Sequence, residues 1–376
     1  MQEGSVMVCL QACGSYDQGE ICRGVDRLLE RLGGMEAFVQ PGDRVLIKPN
    51  LLAAKHVSTA TTTHPALVAE VAKRVARCGG TVLIADSPGG PYQKTLLKNL
   101  YRVCGIEQAA RDAGAELNFE TSVCELPFPQ GETAKSFSVI QPFVRCDKVV
   151  NLAKIKSHSM TYYTGAVKNL FGLVGGLTKA EYHLRYQGKE TFCSMLVDLC
   201  ECACPVLTIL DGVMAMEGDG PSNGTPRKLG VLVGSSSPYL CDLAAVTIIG
   251  AKVGEVLPLA LAIRRGLCPE TLEGLLLGDP IERFMVSDFQ FPETKSMTFD
   301  DHLPSWLMKL ADKILLPYPK YDHAKCIGCM HCQTVCPAGA LTKKNGFPAL
   351  NKRNCIRCYC CQELCPKNAV VLKKRI

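Results

Sequence analysis

The chain has 376 residues, 42 Lys and Arg against 36 Asp and Glu, and 47% hydrophobic residues. That is enough for two or three globular domains, and it excludes disordered or collagen-like composition. Cysteine is the outlier, because nine of the 22 fall in residues 319–376, where 11 Lys and Arg face only Asp322 and Glu363. A tail of net charge +9 follows a body of net charge −3.

The opening MQEGSVMVCL has neither a basic leader nor a hydrophobic run, so no export signal is expected. Short apolar runs predict strands at 6–10, 44–48, 81–86, 148–152, 206–211 and 229–234, several of them apolar throughout, as strands covered on both faces should be. Between them, helices are predicted at 20–32, 64–78, 93–104, 191–204 and 240–251, with Thr63 or His64 capping the second and Gly79 and Gly80 ending it. This alternation predicts an α/β fold over residues 1–300, a mostly parallel sheet flanked by helices. The apolar stretch 243–263 is interrupted by Lys252, Glu255 and Pro258 and is too polar for a span of about 20 residues. A cytoplasmic protein without a membrane segment is expected, its cysteines reduced or metal-bound.

Cys193, Cys200 and Cys204 share a helical stripe with Leu196 and Val197, while Cys202 points away, so this group is expected to pack in a core. A helix at 303–316 and the prolines Pro317 and Pro319 should link body and tail over 301–319.

In the tail, residues 320–376, the spacing C-x2-C-x2-C-x3-C-P occurs twice, offset by 29 residues: Cys326, Cys329, Cys332, Cys336, then Cys355, Cys358, Cys361, Cys365. In bacterial two-cluster ferredoxins with this spacing, the first three thiolates wrap one four-iron cluster and the fourth crosses to the other. Cys326, Cys329, Cys332 and Cys365 should therefore hold one [4Fe-4S] cluster, and Cys355, Cys358, Cys361 and Cys336 a second. Cys360 is left over. Structural zinc needs four thiolates per ion and gives no reason for a third cysteine per run. Short helical turns are expected after the prolines, at 338–341 and 367–370. A tail this small buries little, so the clusters should supply most of its fold.

In a parallel sheet, ligands sit beyond the carboxyl ends of strands. Four polar clusters follow predicted strands, and the stretches carrying them are VLIKPNLL at 45–52 with TTTHP at 61–65, DSPGG at 86–90, KIKSH at 154–158 with TGAVKNLFGLVGG at 164–176, and DGVMAMEGDGP at 211–221. In these stretches, and in its appended cluster domain, the chain resembles the domain of unknown function 362 family. The resemblance implies an α/β fold with an uncharacterised, redox-linked role.

Lys48, Lys156 and Lys168 are candidates to hold an anionic group, with Asn50 and Asn169 orienting it through their amides. His158, among lysines, is the candidate proton donor, and with Lys168 makes the candidate catalytic pair. His64 is read chiefly as a helix start, and Asp211, Glu217 and Asp219 as turn geometry in place of a metal site. Nothing decides for or against a flavin. The expected function is an iron-sulfur oxidoreductase that passes single electrons from an acidic redox partner to an anionic small molecule held by the body. The rivals are a non-catalytic carrier or adaptor and a metallocofactor assembly factor. With few aromatics, the basic tail is not read as a nucleic-acid surface.

Overall fold

The computed structural model describes residues 6–292 and 317–372. The helix expected at 303–316 lies outside them. Eleven strands precede residue 292: β1 (Val8–Ala12), β2 (Arg44–Pro49), β3 (Thr81–Ile84), β4 (Glu116–Leu117), β5 (Val123–Pro127), β6 (Ser136–Ile140), β7 (Lys148–His158), β8 (Tyr162–Thr164), β9 (Leu207–Glu217), β10 (Thr225–Ser235) and β11 (Leu276–Gly278). Nine form one sheet in the order β11-β1-β10-β9-β7-β2-β3-β4, with β8 folded back on β7, while β5 and β6 make a separate hairpin.

From β9 through β7, β2 and β3 to β4 every pairing is parallel, and β10 joins β9 and β1 antiparallel. The sheet is therefore mixed and mostly parallel. Each face carries its own core, which explains the unbroken apolar runs. Val45 and Ile47 of β2 pack with the helices Gln18–Arg31, Pro65–Arg77 and Lys94–Val103, while Leu46 faces the helices Lys189–Ala203 and Pro238–Ile248.

These five helices lie where the sequence predicts them, within about three residues at either end. His64 caps the second, its Nδ1 accepting from the Ala66 amide at 3.2 Å, with Pro65 in the first turn. On the helix Lys189–Ala203, Cys193 and Cys200 are buried in the core and Cys202 is half-buried at its edge. Cys204 departs from the expected stripe, because the chain turns left-handed there (φ 40°) and leaves it exposed.

The tail adds β12 (Pro319–Tyr321), β13 (Leu341–Lys344), β14 (Phe347–Leu350) and β15 (Val370–Leu372), paired antiparallel as β12–β15 and β13–β14. The 29-residue sequence offset is also a backbone offset. Gly328 and Arg357, Met330 and Tyr359, and Gly339 and Asn368 all have positive φ, and the short helices His331–Thr334 and Cys360–Glu363 correspond. Helical turns thus precede the fourth cysteine of each run, not the segments after the prolines, which become turns leading into β13 and β15. Each fourth thiol instead accepts an amide from four residues on, Ala340 N to Cys336 at 3.3 Å and Ala369 N to Cys365 at 3.2 Å.

Candidate functional site

Two cavities lie inside the tail, and their walls sort the cysteines. One, of about 360 Å³, is lined by Cys326, Cys329, Cys332 and Cys365, and the other, of about 350 Å³, by Cys336, Cys355, Cys358 and Cys361 together with Cys360. Each fourth cysteine lies with the other run's first three. Among the described residues, no three His, Cys, Asp or Glu side chains converge on a point that one metal ion could occupy. Thiols ringed around a cavity suit a polynuclear iron-sulfur group, with Gly328 (φ 66°) allowing the loop to curl there.

A third pocket, about 780 Å³ with its mouth, opens between body and tail. The ends of β2, β3 and β7, the segment 164–183 and the tail's helix Cys360–Glu363 all line it. β7 runs six residues beyond its predicted end, so Lys154, Lys156 and His158 project from a strand and not from the loop after it. Along this extension β9 pairs with Lys154 and Lys156, β8 folds back antiparallel on Lys156 to His158, and all three side chains are buried.

The lysines differ sharply. Lys48 is fully buried 2.8 Å from the Asp86 carboxylate, whose other oxygen accepts the Leu51 amide. Lys154 is likewise paired, 2.9 Å from Asp211, with Tyr16 hydroxyl bridging the two at 2.9 and 2.6 Å. Burial lowers the pKa of both lysines, and the carboxylates oppose it. Asp211 is thereby an ion-pair partner in the middle of β9, while Gly218 (φ 76°) turns the chain after Glu217.

Among the described residues Lys156 donates only to Asn50 Oδ1 and Thr61 O, each at 2.8 Å, and burial with the charges of Lys168 and Lys154 drives its pKa well below the ordinary value. Lys179 donates to the carbonyls of Ser87 and Val174, and burial brings its pKa to about 7. Lys168, half-buried, has no carboxylate partner among the described residues and stands 6.0 Å from the Phe171 ring centre.

The remaining candidates acquire different tasks. Asn50 and Asn169 spend their amides inside the protein: Asn50 Nδ2 donates to Asn169 Oδ1 at 3.0 Å, and Asn169 Nδ2 donates to Asn151 Oδ1 at 2.7 Å. Their side-chain oxygens accept from Lys48 and Lys156 at the pocket wall. His158 Nδ1 accepts the amides of Met160 and Thr161 at 3.0 and 3.3 Å, which leaves its proton on Nε2, 3.3 Å from Glu363 Oε1 but out of line for a hydrogen bond. Burial and then Lys168 hold its pKa well below 6.5. A ring whose Nδ1 is occupied this way presents Nε2–H as a hydrogen-bond donor.

Besides Lys179, the residues Glu363, Cys360 and His183 line the pocket without a role assigned from sequence. Glu363, one of two acids in the basic tail, enters the body's lysine cluster, and burial raises its pKa while Lys168 and Lys156 oppose. Its isolation in a basic segment was a usable signal. Cys360, unassigned by spacing, lines both this pocket and the Cys336 cavity. His183 stacks on Phe192 at 4.3 Å, its pKa lowered to about 3 by burial and Lys168. No spacing marks it.

With this geometry in view, comparison with known proteins is informative. The family profile described as a domain of unknown function, number 362, matches residues 45–247, and the profile of a 4Fe-4S dicluster domain matches residues 318–366. The chain belongs to the domain of unknown function 362 family. A thylakoid-associated protein of Synechocystis sp. is 34% identical over 305 residues, 79% of this chain and 91% of the relative. The lactate racemase apoprotein of Thermoanaerobacterium thermosaccharolyticum is similar at 12% identity and a TM-score of 0.40, covering 64% of this chain. A Thermotoga maritima protein matches at 12% and 0.35 over 62%. The chain spans 57% and 60% of those two chains. This family member is therefore an α/β protein carrying a 4Fe-4S iron-sulfur domain suited to electron transfer, and no described helix is long and apolar enough to cross a membrane.

Proposed function

We propose that the protein is an iron-sulfur oxidoreductase in which two [4Fe-4S] clusters, held by the crossed cysteine sets, serve an anionic small molecule bound between body and tail. The observation that carries this reading is Cys360, which forms wall for both the Cys336 cavity and the lysine-lined pocket. When bound, the clusters would supply single electrons.

The chain's own residues supply the rest. Lys168 attracts the anion, and His158 donates its Nε2 proton in a hydrogen bond to it. The Lys48–Asp86 pair and the Asn50–Asn169 amides hold the pocket floor rigid. Beside Cys355 and Cys358, a groove bears Lys189, Lys352, Arg353 and Arg357, charges that suit an acidic electron-donor protein. Free thiols in this number fit a reducing compartment such as the cytoplasm.

Anaerobic purification followed by metal and small-molecule analysis tests the reading. About eight irons and a copurifying or titratable carboxylate or phosphate ligand are expected. Lys168→Gln, with iron content unchanged, should lose that ligand and slow reoxidation of the reduced clusters by it. Unchanged affinity and reoxidation in this variant would overturn the assignment.

A further inference from the structure

Among the buried lysines of β2 and β7, Lys156 alone has no carboxylate ion-pair partner among the described residues, since Lys48 faces Asp86 and Lys154 faces Asp211. It is 1% exposed and its two acceptors, the Asn50 side-chain oxygen and the Thr61 carbonyl, are both neutral. Two acceptors match the two N–H bonds of an uncharged primary amine and leave one tetrahedral position on Nζ, in a residue that lines the pocket. A desolvated lysine beside another cation is the environment in which a lysine amine becomes nucleophilic. Here the neighbouring cations are Lys168 and Lys154, which together with burial outweigh the carboxylates of Glu363 and Asp86 in lowering the Lys156 pKa, in agreement with an uncharged amine.

We propose that Lys156 is the pocket's nucleophile and holds a small 2-oxo acid as a reversible imine, with Lys168 and the His158 Nε2–H receiving the carboxylate. This rests on the anion pocket proposed above and adds the carbonyl. The amine nitrogen adds to the carbonyl carbon, and the carbonyl oxygen becomes a hydroxyl by taking a proton. Loss of that hydroxyl with the second amine proton, as one water, leaves the C=N bond. No external oxidant or reductant is consumed. The Asn50 and Thr61 oxygens fix the nitrogen while it attacks.

The test uses the anaerobic holoprotein with glyoxylate, the smallest carbonyl next to a carboxylate, and cyanoborohydride to reduce any imine to a stable secondary amine. Peptide mapping should find the adduct on Lys156 about tenfold or more above Lys48 and Lys154, its equally buried but ion-paired neighbours, and acetaldehyde should label Lys156 less than glyoxylate does. Labelling confined to exposed lysines, or equal among the three buried ones, would overturn the inference. Glyoxylate binding is measured in parallel by calorimetry without reductant, on the native protein and on Lys168→Gln. Binding that depends on Lys168 without a Lys156 adduct removes the imine and leaves the anion pocket standing, whereas absence of binding removes both.

Discussion

On either face of its sheet the body packs a continuous apolar cluster drawn from many helices and strands, whereas the tail's cluster reduces to Leu341, Cys361 and Val370 with a few partly buried neighbours. The body can afford buried ions because its scaffold holds their partners in place. In the tail, by contrast, two central cavities take up the space where a core would be, and both are ringed by thiols. The first region thus has hydrocarbon burial to order it, while the second has little, and there bound metal is expected to supply the rest.

Removing iron separates them most forcefully. Chelation under oxidising conditions should open the tail to proteases while the body keeps its helical circular dichroism, and simultaneous loss of both would show that they stabilise each other. The crossing of the runs gives the next largest effect. In Cys326→Ser with Cys336→Ser, the crossed sets lose one ligand each, so iron should fall from about eight toward zero, whereas ligation within each run would leave about four.

On the body side, Asp86→Asn strands the Lys48 ammonium in a fully buried site and should lower unfolding free energy by about 3–5 kcal/mol in urea titration, far more than an exposed pair would. A milder effect is expected from His183. Its folded pKa, about 3, lies below that of the unfolded chain, so its contribution to stability is complete above pH ~6.5 and declines as pH falls from there toward 3. His183→Phe should flatten that part of the stability curve, and an unchanged slope would assign the acid sensitivity to other groups.

Much of this was legible in the residues themselves. Period and punctuation located five helices and six strands, because two-faced burial imposes unbroken apolar runs and because Pro65, Gly79 and Gly80 mark one helix's ends. The cysteine spacing also sorted the thiols by cavity, since local loop geometry determines where they point. The pocket was legible only in part. Lys48, Lys156 and Lys168 do meet there, yet spacing cannot reveal that Asp86 neutralises the first or that only Asn50 and Thr61 attend the second. Such differences depend on partners 38 to 106 positions away in sequence, brought close by the parallel pairing of β2, β3 and β7. The end of β7 was misplaced because Lys154 and Lys156 read as solvent-facing, and pairing with β9 and β8 overrides that preference.

Glu363 is two positions from Cys361 and two from Cys365, so the loop that would wrap the inorganic groups also delivers a carboxylate into the neighbouring basic hollow. A transplanted carrier module with an alanine at that place would seat its thiols equally well and bring no carboxylate to that hollow. The two halves meet at that hollow, to which the tail contributes an acid and the body its lysines.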